Sequence, residues 1–267
     1  MHPSAHTLSA GISTACYYPM HTEEAMARAC ALPAADIEIF INAYSELATA
    51  FIGRLRAMAD AAGKRVVSLH PFTSGFEPML FFRDYDRRFD DGISLYSRYF
   101  EACAALGGRY VVLHGDKLGT PTPDEVYFER YARLYDIAES FGVLLCQENV
   151  ARCTSGQPAM LAKMKKALGD RVKFVLDVKQ ARRAGADPCA LCDVLGESLA
   201  HVHLSDFDEA SDCLPPGQGK MDYPRFLAHL KNAGFSGTLT LELYRDNYPD
   251  DDALRSALLF ISSLIYE

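Results

Sequence analysis

Short apolar runs of strand length recur along this chain at roughly 30 residues per unit, each followed by a stretch with helical spacing. That rhythm constrains the fold more than any other feature. The runs are TLSAGIS (Thr7 to Ser13), DIEIF (Asp36 to Phe40), VVSLH (Val66 to His70), YVVLH (Tyr110 to His114), VLLCQEN (143 to 149), VKFVLD (172 to 177), LAHVHLSD (Leu199 to Asp206) and TLTLELY (238 to 244). Strands that are apolar almost throughout suit a parallel sheet covered on both faces. Eight strands alternating with eight helices predict an α/β fold, a (β/α)8 TIM barrel, and no linker divides residues 1–267, so a single domain is expected.

The connecting stretches carry their own punctuation. Thr22 can cap a short helix with Glu23 and Glu24 in its first turn, and Leu47, Phe51, Leu55 and Met58 lay an apolar stripe along a helix that Gly63 ends. A helix with Ile93, Tyr96, Tyr99, Phe100 and Cys103 precedes Gly107. Thr122-Pro-Asp-Glu125 reads as a capping box with Pro at the first helical position. Helices are expected from about Pro158 to Leu168, after Asp187-Pro188, after Asp222, and at the C-terminus with Leu254, Leu258, Ile261 and Ile265 inward. The stretch PFTSGFEPMLFFRDYD reads as a long loop, long enough for a lid or pocket wall.

Four consecutive strands deliver a metal-competent side chain at their C-terminal ends: Glu148, Asp177, His203 and Glu242. In a parallel barrel that end carries the reactive groups. His201 and His203 alternate onto one face of their strand, and two further strands end in His70 and His114. A mixed oxygen and nitrogen donor set suits Mn, Mg, Co or Zn, and ligand types alone do not choose among them. The bland alternative is a buried ion-pair network; it is disfavoured because no Lys or Arg is read among the inward strand ends to neutralise three acids. His70 and His114 could orient substrate, complete a second metal site or be ordinary rim histidines. Lys179, Gln180 and Arg245 flank the strand ends as candidate substrate contacts or plain surface residues, with Arg245 the candidate for a phosphate or carboxylate.

A net charge of −8 argues against a nucleic-acid partner, since phosphate contacts need a basic stripe. No apolar run approaches the ~18–20 residues of a membrane span, and no signal sequence opens the chain, so a cytoplasmic protein without a membrane partner is expected. The eight cysteines are expected to be reduced thiols; Cys189 and Cys192 form a CxxC with no second pair to complete a zinc knuckle. Gly217-Gln-Gly-Lys220 lacks the frame of a phosphate loop and reads as a flexible turn, and HExxH, GxGxxG and nucleophile-elbow motifs are absent.

The order Glu148, Asp177, HVHLSD and PPGQGKMDYPRFLAHLKNAGFSGTLTLELY resembles the xylose isomerase-like superfamily of sugar isomerases and epimerases, which includes endonuclease IV, D-tagatose 3-epimerase and inosose dehydratase. The resemblance spans nearly the whole chain. It implies one divalent metal ion held by Glu148, Asp177, His203 and Glu242, with Glu148 and Glu242 as catalytic acid and base on opposite sides of a small carbohydrate substrate. It leaves His201 deeper in the barrel. Two departures stand out: Gln180 occupies the position where epimerases and nucleases carry a His, and residues 207–221 hold no Asp-x-His, so the trinuclear zinc site of endonuclease IV is not assembled.

The resulting expectation is a metal-dependent isomerase or epimerase of a small sugar, sugar phosphate or polyol ketone, working by proton transfer through a metal-stabilised enediolate. The alternative is a dehydratase of the inosose dehydratase type, with a non-catalytic sugar-binding barrel or an endonuclease IV-like nuclease behind it. The sequence leaves room for a homo-oligomer.

Overall fold

The computed structural model describes residues 8–119 and 122–266. Eight parallel strands close into a barrel in chain order: β1 Leu8–Ser13, β2 Asp36–Phe40, β3 Arg65–His70, β4 Tyr110–Leu113, β5 Leu144–Glu148, β6 Lys173–Asp177, β7 Leu199–Leu204 and β8 Gly237–Leu241. The seam runs from Leu8 beside Gly237 to Ile12 beside Leu241. Asp177 lies level with His203, whereas Glu148 pairs with Val175, two residues before Asp177, and Glu242 stands two residues beyond Thr240, the partner of His203. Thr7, read as part of the first strand, falls outside the described residues.

Side chains that face outward, such as Ile12, Ile37, Leu69, Leu113 and Leu176, pack under the helices in one continuous apolar core. Inside the barrel the filling is different. A small apolar patch of Val112, Cys146 and Val175 shares the interior with Glu38, Ser68, His201, His203 and Thr240, all buried. Polar groups so enclosed must bond to one another. His201 Nε2 accordingly lies 3.2 Å from Ser68 Oγ, 3.3 Å from Thr240 Oγ1 and 3.2 Å from Glu38 Oε2.

Several local expectations change. Thr22 is the first residue of the helix Thr22–Cys30 rather than its cap; its hydroxyl donates to Glu46 Oε2 at 3.0 Å, tying the helix to the loop after β2. The helix Thr49–Ala61 turns Ile52, Leu55 and Ala59 inward, with Phe51 and Met58 half-buried and Leu47 in a preceding 3₁₀ turn. No capping box forms at Thr122, because its hydroxyl bonds the carboxylate of buried Asp116 (2.7 Å) and the Phe82 carbonyl (2.6 Å), and the helix starts at Asp124, after Pro123. A charged acceptor outcompetes a backbone N–H for that hydroxyl. The long loop after β3 holds a 3₁₀ turn, Phe72–Gly75, and a helix, Glu77–Phe81. With the helix Val178–Arg183 directly after β6, ten α-helices are present among the described residues instead of eight.

The turn at Gly217-Gln-Gly-Lys220 is held rather than loose. Asp206, fully buried past the end of β7, accepts from the backbone N–H groups of Phe207, Gly217, Gly219 and Met221 at 2.8–3.0 Å. A Cβ on Gly219 would stand 2.3 Å from Asp206 Oδ1 and 2.5 Å from the Phe207 carbonyl, so only glycine allows this wrap. Gly219→Ala should therefore cost about 1–3 kcal/mol of stability through overpacking. Gly53, in a helix with nothing within 4 Å of its missing Cβ, is the control: Gly53→Ala should be neutral or stabilising. Urea unfolding midpoints check both, and an unchanged midpoint for Gly219→Ala would contradict the wrap.

Candidate active site and metal centre

Glu148 ends β5, Asp177 ends β6, His203 lies near the end of β7 and Glu242 follows β8 directly. Each apolar strand thus hands one polar side chain to the same rim, where burial at both faces of the sheet gives way to the barrel mouth. Single donor atoms of these four residues all lie within 4.8 Å of one another. His203 Nδ1 faces the three carboxylates, at 3.2 Å from Glu242 Oε2, 3.3 Å from Glu148 Oε1 and 3.7 Å from Asp177 Oδ2. Its other ring nitrogen, Nε2, lies 3.0 Å from Glu38 Oε2. A carboxylate behind the second nitrogen is the arrangement that orients a ligating imidazole and fixes its tautomer.

The donor set therefore fits a divalent cation, three hard oxygen ligands and one nitrogen around a common point. Yet a cation of the chain's own already addresses it. Lys179, in the first turn of the helix Val178–Arg183, is buried and its Nζ hydrogen-bonds both Asp177 Oδ2 and Glu242 Oε2. The expectation that no basic residue neutralises the three acids is overturned. Lys179 escapes a reading of strand ends because it sits two residues past β6 and folds back when Asp177 caps its helix, accepting from Gln180 N at 2.9 Å.

Ionisation follows from these contacts. Burial works against charge on Glu148, but the nearby His114, with His203 and His70, outweighs it and holds the carboxyl well below the usual range. Burial likewise opposes charge on Glu242, and His203 and Lys179 overcome it, lowering that carboxyl too. For His203, desolvation disfavours the imidazolium, while Glu242 and Glu38 raise it well above the ordinary histidine value. Burial also opposes the Lys179 ammonium, and Asp177 and Glu242 reverse this.

His70 and His114 gather at Glu148. His114 Nε2 is 2.8 Å from Glu148 Oε2 and 3.1 Å from His70 Nε2, which itself lies 3.8 Å from Glu148 Oε2. Glu77 fixes the end of β4 beneath them: its carboxylate accepts from the backbone N–H groups of His114 (2.9 Å) and Gly115 (2.7 Å) and from the Tyr96 hydroxyl (2.5 Å). Glu38 and Glu77 were both missed by sequence reasoning. An acid alternating inward in DIEIF was a usable signal for Glu38; Glu77 lies in an aperiodic stretch that offers none.

A cleft of about 230 Å³ opens over these groups, walled by Tyr18, Phe40 and Tyr244 and lined by His70, His114, Glu148, Lys179, Gln180, Glu242 and Arg152. The Gln180 side-chain oxygen accepts from Ala151 N at 3.1 Å. Arg245 does not line the cleft; its guanidinium bonds the carbonyls of Tyr248 (2.8 Å) and Pro249 (3.4 Å) and lies over the Tyr248 ring. Arg152, not singled out in the sequence, is the arginine that does. A larger hollow of about 560 Å³ lies at the opposite barrel end, beside Ser9, Asp36, Arg65 and Gly237, away from all of this chemistry. Cys189 and Cys192 are free, buried thiols in the outer helix Pro188–Leu195 and belong to no metal-competent cluster among the described residues.

The sequence profile of the Xylose isomerase-like TIM barrel family matches residues 26–264. The inosose isomerase of Bacillus velezensis is 28% identical over 185 residues, which cover 64% of this chain and 66% of that protein, so the match spans just under two thirds of the relative's length. The fructoselysine 3-epimerase of Escherichia coli O157:H7 is 23% identical over 201 residues, covering 72% of this chain and 73% of that protein. Among solved structures, a D-psicose 3-epimerase with D-tagatose from Clostridium cellulolyticum H10 superposes with a TM-score of 0.77 over 96% of this chain and 99% of that one, at 16% identity, a likeness of fold. The closed eight-stranded barrel with its acids at the C-terminal rim and the match across nearly the whole chain lead to one conclusion: the chain belongs to the xylose isomerase-like TIM barrel family.

Proposed function

We propose that this protein is a divalent-metal-dependent isomerase or epimerase of a small polyhydroxylated ketone. The observation that carries the reading is the pair of ionised carboxylates, Glu148 from β5 and Glu242 from β8, that face one cleft with an oxygen of each within 4.8 Å of the other. The names of relatives, an inosose isomerase and a fructoselysine 3-epimerase, support the same reaction class. Glu148, Asp177, His203 and Glu242 would hold the metal, which when bound supplies a Lewis acid that makes the C–H beside a carbonyl acidic.

The chain's own residues do the rest. Tyr18, Phe40 and Tyr244 offer apolar ring surface to the carbon face of a sugar, and Gln180 and Arg152 offer polar groups to its hydroxyls. Both glutamates are anionic at neutral pH, so either Glu148 or Glu242 can take a proton from carbon. Carboxylates held this low are weak bases, and the reaction therefore needs a substrate carbon already made acidic. The same carboxyl can return the proton to the neighbouring carbon, giving isomerisation; epimerisation requires that the second carboxylate first take a proton from solvent and deliver it to the opposite face, while the first glutamate releases the abstracted proton to solvent. His114 Nε2, at 2.8 Å from Glu148, stabilises the anion between steps and is placed to exchange a proton with it.

Incubation with D-psicose, D-tagatose or inosose in deuterated water should place deuterium at the carbon beside the carbonyl, read by NMR. Glu242→Gln and Glu148→Gln, which keep the size but remove the base, should each lower that exchange by about 10²–10⁴-fold. Exchange at near wild-type rate in both variants would remove the acid–base roles. Separately, exhaustive chelation should abolish exchange and Mn²⁺ should restore it; full exchange by the chelated protein would contradict the metal dependence.

A further inference from the structure

Lys179 is unusual in its address. Its Nζ bonds Asp177 Oδ2 and Glu242 Oε2, the same two oxygens that face His203 Nδ1 at 3.7 and 3.2 Å. Those atoms belong to the four-residue cluster of Glu148, Asp177, His203 and Glu242, whose donors converge within 4.8 Å. The ammonium and a metal ion would therefore draw on the same lone pairs, and two cations in so small a space repel strongly. The tether is short: Lys179 stands two residues beyond Asp177, in a helix that Asp177 itself caps, so its Nζ remains near the site wherever the side chain turns. A second berth is at hand, since Lys179 already lines the cleft and its Nζ lies 5.7 Å from the centre of the Tyr244 ring.

We infer that Lys179 is a tethered counter-ion that competes with the divalent cation: it holds Asp177 and Glu242 in the metal-free protein and must leave them, turning toward the cleft and Tyr244, when the metal binds. This rests on the metal dependence proposed above. The device lets the barrel stay folded without metal, because a buried group of three carboxylates never stands without a positive charge. It also weakens metal binding, because every binding event must break two charge-assisted hydrogen bonds.

Calorimetric titration of the full-length chain with Mn²⁺ tests this. Lys179→Met, and independently Lys179→Gln, should bind Mn²⁺ at least tenfold more tightly than the wild type, while the metal-free variants melt at a lower temperature and recover it when Mn²⁺ is added. Equal or weaker binding by the variants, with the wild type binding well, would overturn the counter-ion role and leave the metal site standing. Binding by neither would overturn both. Should the variants fail to fold, the wild type still answers: acetic anhydride labelling of Lys179, read by peptide mass spectrometry, should rise several-fold when Mn²⁺ is added. Labelling unchanged by Mn²⁺ under saturating conditions would overturn the inference.

Discussion

Four carboxylates, Glu38, Glu148, Asp177 and Glu242, are buried within one closed parallel barrel, and positive charge has to stand among them. Most of the site's geometry follows from that constraint. His203 lies between Glu38 below and the three rim acids above, and Lys179 folds back across the rim to reach Asp177 and Glu242. His114 and His70 crowd Glu148 from the β4 and β3 side. Uncompensated acids at this depth would neutralise or unfold the barrel. The compensated set is uneven: Glu38, Glu148 and Glu242 are held below the usual carboxylate range, while burial pushes Asp177 up against the pull of Lys179.

The scaffold supplies the placement. Parallel strands in chain order put every strand's C-terminal end on one rim, and the register sets Asp177 level with His203. Below the rim the barrel is not a simple apolar plug. The Glu38, His201, Ser68 and Thr240 network acts as a polar foundation, so that a change at Glu38 would be felt at His203 through its Nε2. Burial keeps His201 below its ordinary value, and its Nε2 bonds Glu38, Ser68 and Thr240 while its neighbour two residues on faces the carboxylates.

Much of this was legible in the sequence because strands have a period of two and barrels a repeating unit. Those two regularities place Glu148, Asp177, His203 and Glu242 without any coordinates. They also put His70 and His114 on the rim, though not at Glu148 in particular. Periodicity does not carry Glu77, Arg152 or the position of Lys179 between two acids; the sequence reads Lys179 only as a candidate substrate contact or surface residue. Lys179 acts from a helix start, Glu77 from an aperiodic stretch, and Arg152 from the loop after β5; their roles arise from where the chain turns back. Arg245, attractive by its position after β8, is held by the carbonyls of Tyr248 and Pro249 instead. Thr122 likewise had the right neighbours for a cap, and buried Asp116 took its hydroxyl. Arg245 is held by carbonyls only three and four residues on, whereas at Thr122 groups from elsewhere in the fold, the Phe82 carbonyl among them, displaced the local motif.

The rim acids and His203 are proposed to form one cation site. An anomalous-scattering map from crystals grown with Mn²⁺ tests it most directly. A single strong peak is expected within ~2.0–2.6 Å of atoms from Glu148, Asp177, His203 and Glu242. A peak at Cys189 and Cys192 with none at the rim, or no peak at all at saturating Mn²⁺, would contradict it.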